Sequence, residues 1–300
     1  MSLPHEPSVT RRQAVAQLGA AAVMSSLAPT VAASMAASAP APLSESPHAG
    51  GRLRQSVARW CFNQTPIHDL CAAVKPMGLV GVDLLGPEEW EIPKQYGLLC
   101  TMGNSWGTIP VGFNRMDQHD KLVADGEAYI PKAAAAGVTK IVVFSGNRAG
   151  MSDGEGITNC IAGLKRLMPT AERHGVVLCM EMLNSKVDHT DYHADHTAWA
   201  VEVAKGINSP HFRLLYDIYH MQVMEGDVIA TIKANLPWIA HFHTAGVPGR
   251  HELDAAQELN YRGIAEAIAN TGYTGVFAHE FMPVRDGMRS LLEAVQLCTV

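Results

Sequence analysis

From residue 55 onward the chain repeats one alternation eight times, a short and almost unbroken apolar run followed by a longer linking stretch. The runs are SVARWCF (56–62), LVGVDLL (79–85), GLLCTM (97–102), TKIVVFSG (139–146), GVVLCMEML (175–183), FRLLYDI (212–218), WIAHFHTA (238–245) and TGVFAHEF (274–281). A strand with one wet face alternates apolar and polar residues. Most of these do not, so both faces are buried, as in a parallel sheet covered by helices. The clearest helical stretches are DQHDKLVADGEAYIPKAAAAG, which ends on Gly137, and NCIAGLKRLMPTAERHG, which ends on Gly175. DHTAWAVEVAKGI opens on an acidic cap candidate, Asp195, and YRGIAEAIANTG ends on Gly272. Eight such units over about 245 residues match one (β/α)8 barrel. The rival is an open doubly wound sheet, but no GxGxxG follows the first run, and no nucleotide cofactor is expected. The pattern predicts an α/β fold, a single TIM barrel over residues 51–300, with 47% hydrophobic residues to fill its core.

Residues 1–50 have a different character. Arg11 and Arg12 precede a mildly apolar stretch of Ala, Val and Leu, interrupted by Gln17 and Gly19, and then small residues and prolines. A positive start, an apolar middle and a small-residue exit form an export signal, and the weak apolar middle suits the twin-arginine type. Ala14 stands where that type usually carries a bulky apolar residue. A periplasmic or exported protein is expected; the alternative is a cytoplasmic chain with an Ala-rich tail. The segment is too poor in Leu and Ile for a membrane span, so no stable anchor is expected after signal removal. The net charge of −6 argues against a nucleic-acid partner. Six cysteines at irregular spacing, without CxxC, are expected as free thiols, mostly buried.

Barrels of this kind place chemistry at the C-terminal ends of their strands. Run five ends near Glu181, run six near Asp217, run seven near His243 and run eight near Glu280, separated by 36, 26 and 37 residues. Each gap is about one βα unit, so four adjacent strands deliver three carboxylates and an imidazole to one end of the barrel. Carboxylates brought so close do not all stay ionised without a cation among them. Oxygen donors with one His suit one divalent ion, Mn²⁺, Mg²⁺ or Co²⁺.

The segments CMEMLNS (179–185), YDIYHMQVMEGD (216–227), HFHTAGVPGRHEL (241–253), ELNYRG (258–263) and GVFAHEF (275–281) resemble the hydroxypyruvate isomerase family. That family lies among the xylose-isomerase-like barrels, which also hold ketose 3-epimerases. The resemblance implies a metal site of Glu181, Asp217, His243 and Glu280, with the two glutamates doubling as the proton-transfer pair. Hydroxypyruvate isomerases usually carry Gln at the third place; His243 is similar to the epimerases instead. The resemblance also implies His220 as a hydrogen-bond donor to substrate, against the alternative of a helix-capping histidine.

Arg250 in VPGRHE is expected to clamp a substrate carboxylate or hydroxyl pair, against an ion pair with Glu252. Asn184 is expected to line the pocket, and His251 and Glu252 to stand behind it. His189, His193 and His196 lie on a loop expected to roof the pocket rather than to bind a second metal. The loop GNSWGTIPVGFN (103–114), with Trp106 and Phe113, is a candidate water barrier. His279 alternates away from the barrel interior.

The expected partner is a small sugar or hydroxy-keto acid, and a homo-oligomer is allowed. The expected activity is metal-dependent isomerisation through an enediolate, hydroxypyruvate isomerase-like. Alternatives are a ketose 3-epimerase, a lyase on 3-keto sugars or glycosides, a periplasmic sugar-binding protein and a nuclease-like relative. The last needs a basic groove that the acidic charge does not favour.

Overall fold

All eight apolar runs become parallel strands, and these close on one another. The strands are β1 (Arg54–Ala58), β2 (Gly81–Leu85), β3 (Leu99–Gly103), β4 (Lys140–Val143), β5 (Val177–Glu181), β6 (Phe212–Asp217), β7 (Ile239–Thr244) and β8 (Val276–His279). They are seen in a computed structural model that describes residues 51–300. Their order around the ring is their order in the chain, and β1 closes on β8 through Ser56 with Ala278 and Val57 with His279. The export-signal reading of residues 1–50 lies outside the described residues. No helix among the described residues is long and apolar enough to cross a membrane.

The helices are α1 (Ile67–Val74), α2 (His119–Ala135), α3 (Asp153–His174), α4 (Thr197–Ile207), α5 (Ile218–Met224), α6 (Val228–Asn235), α7 (Tyr261–Ala269) and α8 (Gly287–Cys298). α3 begins six residues before the expected Asn159, because Ser152 caps it by accepting from the Glu155 amide, with Asp153 and Glu155 in the first turn. Its end is as expected, on Gly175 in the left-handed conformation. The expected cap of α4 is corrected: His196, not Asp195, precedes that helix and makes no side-chain cap. Asp195 is drawn away by Arg148 at 2.7 Å and by the Ser185 hydroxyl at 2.6 Å. The first amide of α4 donates instead to Glu225, 28 residues on, at 2.6 Å.

Period-two alternation sorts each strand into two layers. Leu178, Met180, Leu214, Tyr216, Phe242 and Phe277 pack outward in the main core, between the barrel and its helices. Ala58, Leu84, Met102, Val142, Cys179 and Leu215 form a small inner cluster. Two residues beyond Cys179 and Leu215, the same inward face carries Glu181 and Asp217. His279 turns outward, as expected, to Gln55 at 2.8 Å. The six cysteines are free and five of them are buried.

Phe242 sits at the centre of an aromatic group in the outer layer, with ring centroids 6.0 Å from Tyr216, 4.9 Å from Tyr273 and 6.3 Å from Phe277. Phe242→Ala should destabilise the barrel by about 3–5 kcal/mol, read as a lower midpoint in urea unfolding followed by circular dichroism.

Candidate metal centre

Glu181 ends β5, Asp217 ends β6, His243 is the penultimate residue of β7, and Glu280 follows β8 directly. All four are buried, and one ligand atom from each lies within 4.8 Å of the others. His243 Nδ1 is 3.1 Å from Glu181 Oε1 and 2.9 Å from Glu280 Oε2. The structure thus brings together the four residues expected to hold a metal.

Asp217 divides its labour between two oxygens. Oδ1 caps α5, accepting from the Tyr219 amide at 2.8 Å and the His220 amide at 3.2 Å. Oδ2 faces the centre, 3.7 Å from Arg250 and 3.6 Å from His220 Nε2. Glu280 is held at both oxygens, by the Trp60 indole at 2.6 Å and by Arg250 at 2.7 Å. β5 is fixed behind Glu181 by Tyr192, whose hydroxyl donates to the Glu181 carbonyl at 2.9 Å.

Beneath the set lies a carboxylate that sequence reasoning passed over. Asp83 on β2 accepts from His243 Nε2 at 2.8 Å, His241 Nε2 at 3.0 Å and Thr101 Oγ1 at 2.5 Å. Two signals pointed to it: a lone acid inside the apolar LVGVDLL, and the spacing HFH, which puts His241 and His243 on one strand face.

Burial governs the charge states. It raises Glu181 despite the bond from His243. It pushes Asp217 up to about 8, with the Glu280 charge adding to the effect. Burial would raise Glu280 as well, but His243 and Arg250 hold it well below the usual carboxylate range. Burial would lower His243, yet Glu280, Asp83 and Glu181 lift it well above the ordinary value. Asp83, equally buried, is held low by His241 and His243. One guanidinium and one imidazolium do not balance four carboxylates. A divalent ion does so with Arg250 to within one charge, and the donor set of three carboxylates and an imidazole fits such an ion.

A cleft of about 520 Å³ opens on Glu181 and Glu280. Part of its lining is apolar, from Leu84, Ile109, Val142, Phe144 and Leu183. Polar groups come from Trp60, Asn104, Ser105, Thr108, His189 and Arg250. The loop after β3 therefore does wall the cleft, but not with its aromatic residues. Trp106 donates to the Leu122 carbonyl at 2.9 Å, and Phe113 packs edge-on against it, so both anchor the loop from behind.

Of the expected substrate contacts, Arg250 lines the cleft, stacked 5.0 Å over the Trp60 ring. It is not paired with Glu252, which instead accepts from the Val284 and Arg285 amides and the Ser290 hydroxyl. His251 reaches the Met282 carbonyl at 3.0 Å. Asn184 and His220 are fully buried and lie behind the cleft rather than on its wall. Asn184 Nδ2 donates to His220 Nδ1 at 2.7 Å, and its oxygen accepts from the Val187 and Asp188 amides, which shapes the loop after β5.

That loop presents His189 to the cleft, packed against the edge of His220. The three loop histidines do not converge. His193 pairs with Asn114 and Asp153, and His196 with Asp195.

A closed ring of eight parallel strands, with acids and an imidazole converging at its C-terminal mouth, defines a TIM barrel with a candidate divalent-metal centre. The chain belongs to the xylose isomerase-like TIM barrel family, whose model matches residues 90–297. It is 26% identical to the hydroxypyruvate isomerase of Escherichia coli over 218 residues, 69% of this chain and 84% of that one. It is 33% identical to the 2-oxo-tetronate isomerase of Cupriavidus necator over 113 residues, 38% of this chain and 43% of that protein, so that match spans under half the relative. These relatives carry isomerase names, in keeping with the activity class expected from sequence. Among solved structures, an AP endonuclease of family 2 from Brucella melitensis superposes with a TM-score of 0.70 at 24% identity, covering 81% of this chain and 97% of that one; this shows the shared fold.

The charge states give a signed prediction. Unfolded, Asp217 releases its proton near pH ~4; folded and stripped of metal by chelator, it holds the proton to about 8. The folded state binds the extra proton between those values, so Asp217 makes stability fall as pH rises through that window. Asp217→Asn removes this slope. In chelator-treated protein it should raise unfolding stability at pH 8 over wild type by at least about 1.4 kcal/mol, one pH unit's worth, and not at pH 4.

Proposed function

We propose that this chain is a metal-dependent isomerase of α-hydroxy carbonyl compounds, a sugar or a hydroxy-keto acid, acting in the aldose–ketose manner; its similarity to a protein named hydroxypyruvate isomerase supports this reading. The observation that carries the reading is the pair Glu181 and Glu280. They come from β5 and β8, belong to one four-residue centre, and both border the same cleft.

Glu181, Asp217, His243 and Glu280 would hold a divalent ion, which would supply Lewis-acid stabilisation of the negative charge that develops on the substrate oxygens. The proton work falls to the chain. One glutamate takes the proton from the carbon beside the carbonyl, and an enediolate results; a proton then returns to the neighbouring carbon. Trp60 and Arg250 fix the Glu280 carboxylate by one hydrogen bond on each oxygen. Glu181 has no such pair of donors, its one side-chain polar neighbour being His243 Nδ1 at 3.1 Å, and so is the freer of the two. The apolar lining from Leu84, Ile109, Val142, Phe144 and Leu183 keeps water from the enediolate.

One observation favours a second reading. A cleft of about 520 Å³ has room for a six-carbon sugar as well as a three-carbon acid, and an imidazole stands at the third ligand place. A ketose 3-epimerase would use the same glutamates and return the proton to the same carbon from the other face. The signal-like pattern around Arg11 and Arg12 supports export of this enzyme by a twin-arginine route.

The full chain, loaded with Mn²⁺, Mg²⁺ or Co²⁺, should catalyse deuterium incorporation beside the carbonyl of hydroxypyruvate or a ketose in D₂O, followed by NMR. Chelator should abolish exchange, and Glu181→Gln and Glu280→Gln should each slow it by about 10²–10⁴-fold. Tight metal binding with no exchange in any ketose or keto acid would favour a sugar-binding role.

A further inference from the structure

The metal centre rests on a polar floor inside the barrel. Asp83 is fully buried on β2, yet two of its three donors come from β7, three strands away around the ring. The third, Thr101, comes from the neighbouring β3. A regular strand does not turn consecutive side chains to one face. β2 does so through an irregularity: its register against β3 shifts on both sides of Asp83, and Leu84 takes a left-handed φ of 56°. Asp83 and Leu84 then both point inward, Leu84 to the cleft and Asp83 to the histidines. A non-glycine residue in that conformation carries strain of about 1 kcal/mol or more, and what the strain secures is the reach of the Asp83 carboxylate.

That carboxylate meets one end of His243 while the other end faces Glu181 and Glu280. An imidazole that binds a metal through one nitrogen carries its proton on the other, and an acceptor at that proton fixes both tautomer and ring orientation. We infer that Asp83 is the positioning residue that makes His243 a metal ligand: it accepts the Nε2 proton and so presents the Nδ1 lone pair to the centre. His241 and Thr101 hold the carboxylate in place, one on the shared oxygen and one on the other. A Gln at position 243 would ligate through its carboxamide oxygen and has no tautomer for an acceptor to fix, so the floor is matched to the histidine. This inference rests on the four-residue centre of the function proposed above.

The test uses the full chain and Mn²⁺ as the probe. Asp83→Asn keeps the shape but replaces the carboxylate by a neutral carboxamide, a weaker acceptor for the two imidazoles that share its oxygen. Mn²⁺ affinity, measured by electron paramagnetic resonance against a competing chelator, should fall about 10–100-fold, with circular dichroism and metal-free melting close to wild type. In a His243→Gln background the same Asp83→Asn change should cost less than about threefold, as a double-mutant cycle isolates the coupling. Folded Asp83→Asn protein with wild-type affinity, or with equal losses in both backgrounds, would overturn the inference.

A second measurement needs no variant at all. In Mg²⁺-loaded wild type, ¹⁵N-edited NMR should find His243 with its proton on Nε2, and a proton on Nδ1 would overturn the inference. Wild-type protein that binds no Mn²⁺ would remove the centre itself, and with it the function proposed above.

Discussion

Four carboxylates share the interior of this barrel near its mouth, and taking them from water is the constraint on which the rest depends. Left to themselves in a low-dielectric space, they would keep their protons. The fold answers with cationic and dipolar partners. Arg250 lies between Glu280 and Asp217, the first amides of α5 meet Asp217, the Trp60 indole meets Glu280, and His241 and Thr101 meet Asp83. The remaining negative charge is what makes a divalent cation fit.

Asp217 shows how one residue serves fold and chemistry together. Its capping oxygen starts α5, and that helix fixes the rotamer that aims the other oxygen at the centre. A helix cap and a metal ligand are usually alternative readings of an acid at a strand end. Here one oxygen of the side chain makes the cap and the other faces the candidate metal centre, so the two readings do not exclude each other.

The barrel and the four residues of its candidate metal centre were legible because both follow from short-range rules. Buried strands leave near-continuous apolar runs, and period two aligns Glu181, Asp217, His243 and Glu280 on the inward face. Asp83 escaped because its inward turn depends on an irregular β2, which apolar pattern does not encode. Asp195 was misjudged as a cap because Arg148, remote in sequence, competes for it. Loop packing buries Asn184 and His220 behind the cleft and brings His189 to its wall, a placement that no local pattern gives. For Asp83 the missing information was a strand irregularity, and for Asp195 a long-range partner.

The hydrogen-bonded ring is not uniform around its circumference. The steps from β5 to β8 are each paired over four residues, whereas β3 and β4 meet through the single pair Gly103 and Ile141. The four candidate ligands stand on the densely paired arc, and the wall-forming loop of residues 104–114 leaves the ring at its sparse seam. The barrel is therefore built like a vice with one heavy jaw and one light one, so that changes of sequence in the light jaw can reshape what the cleft accepts while the candidate metal centre stays as it is.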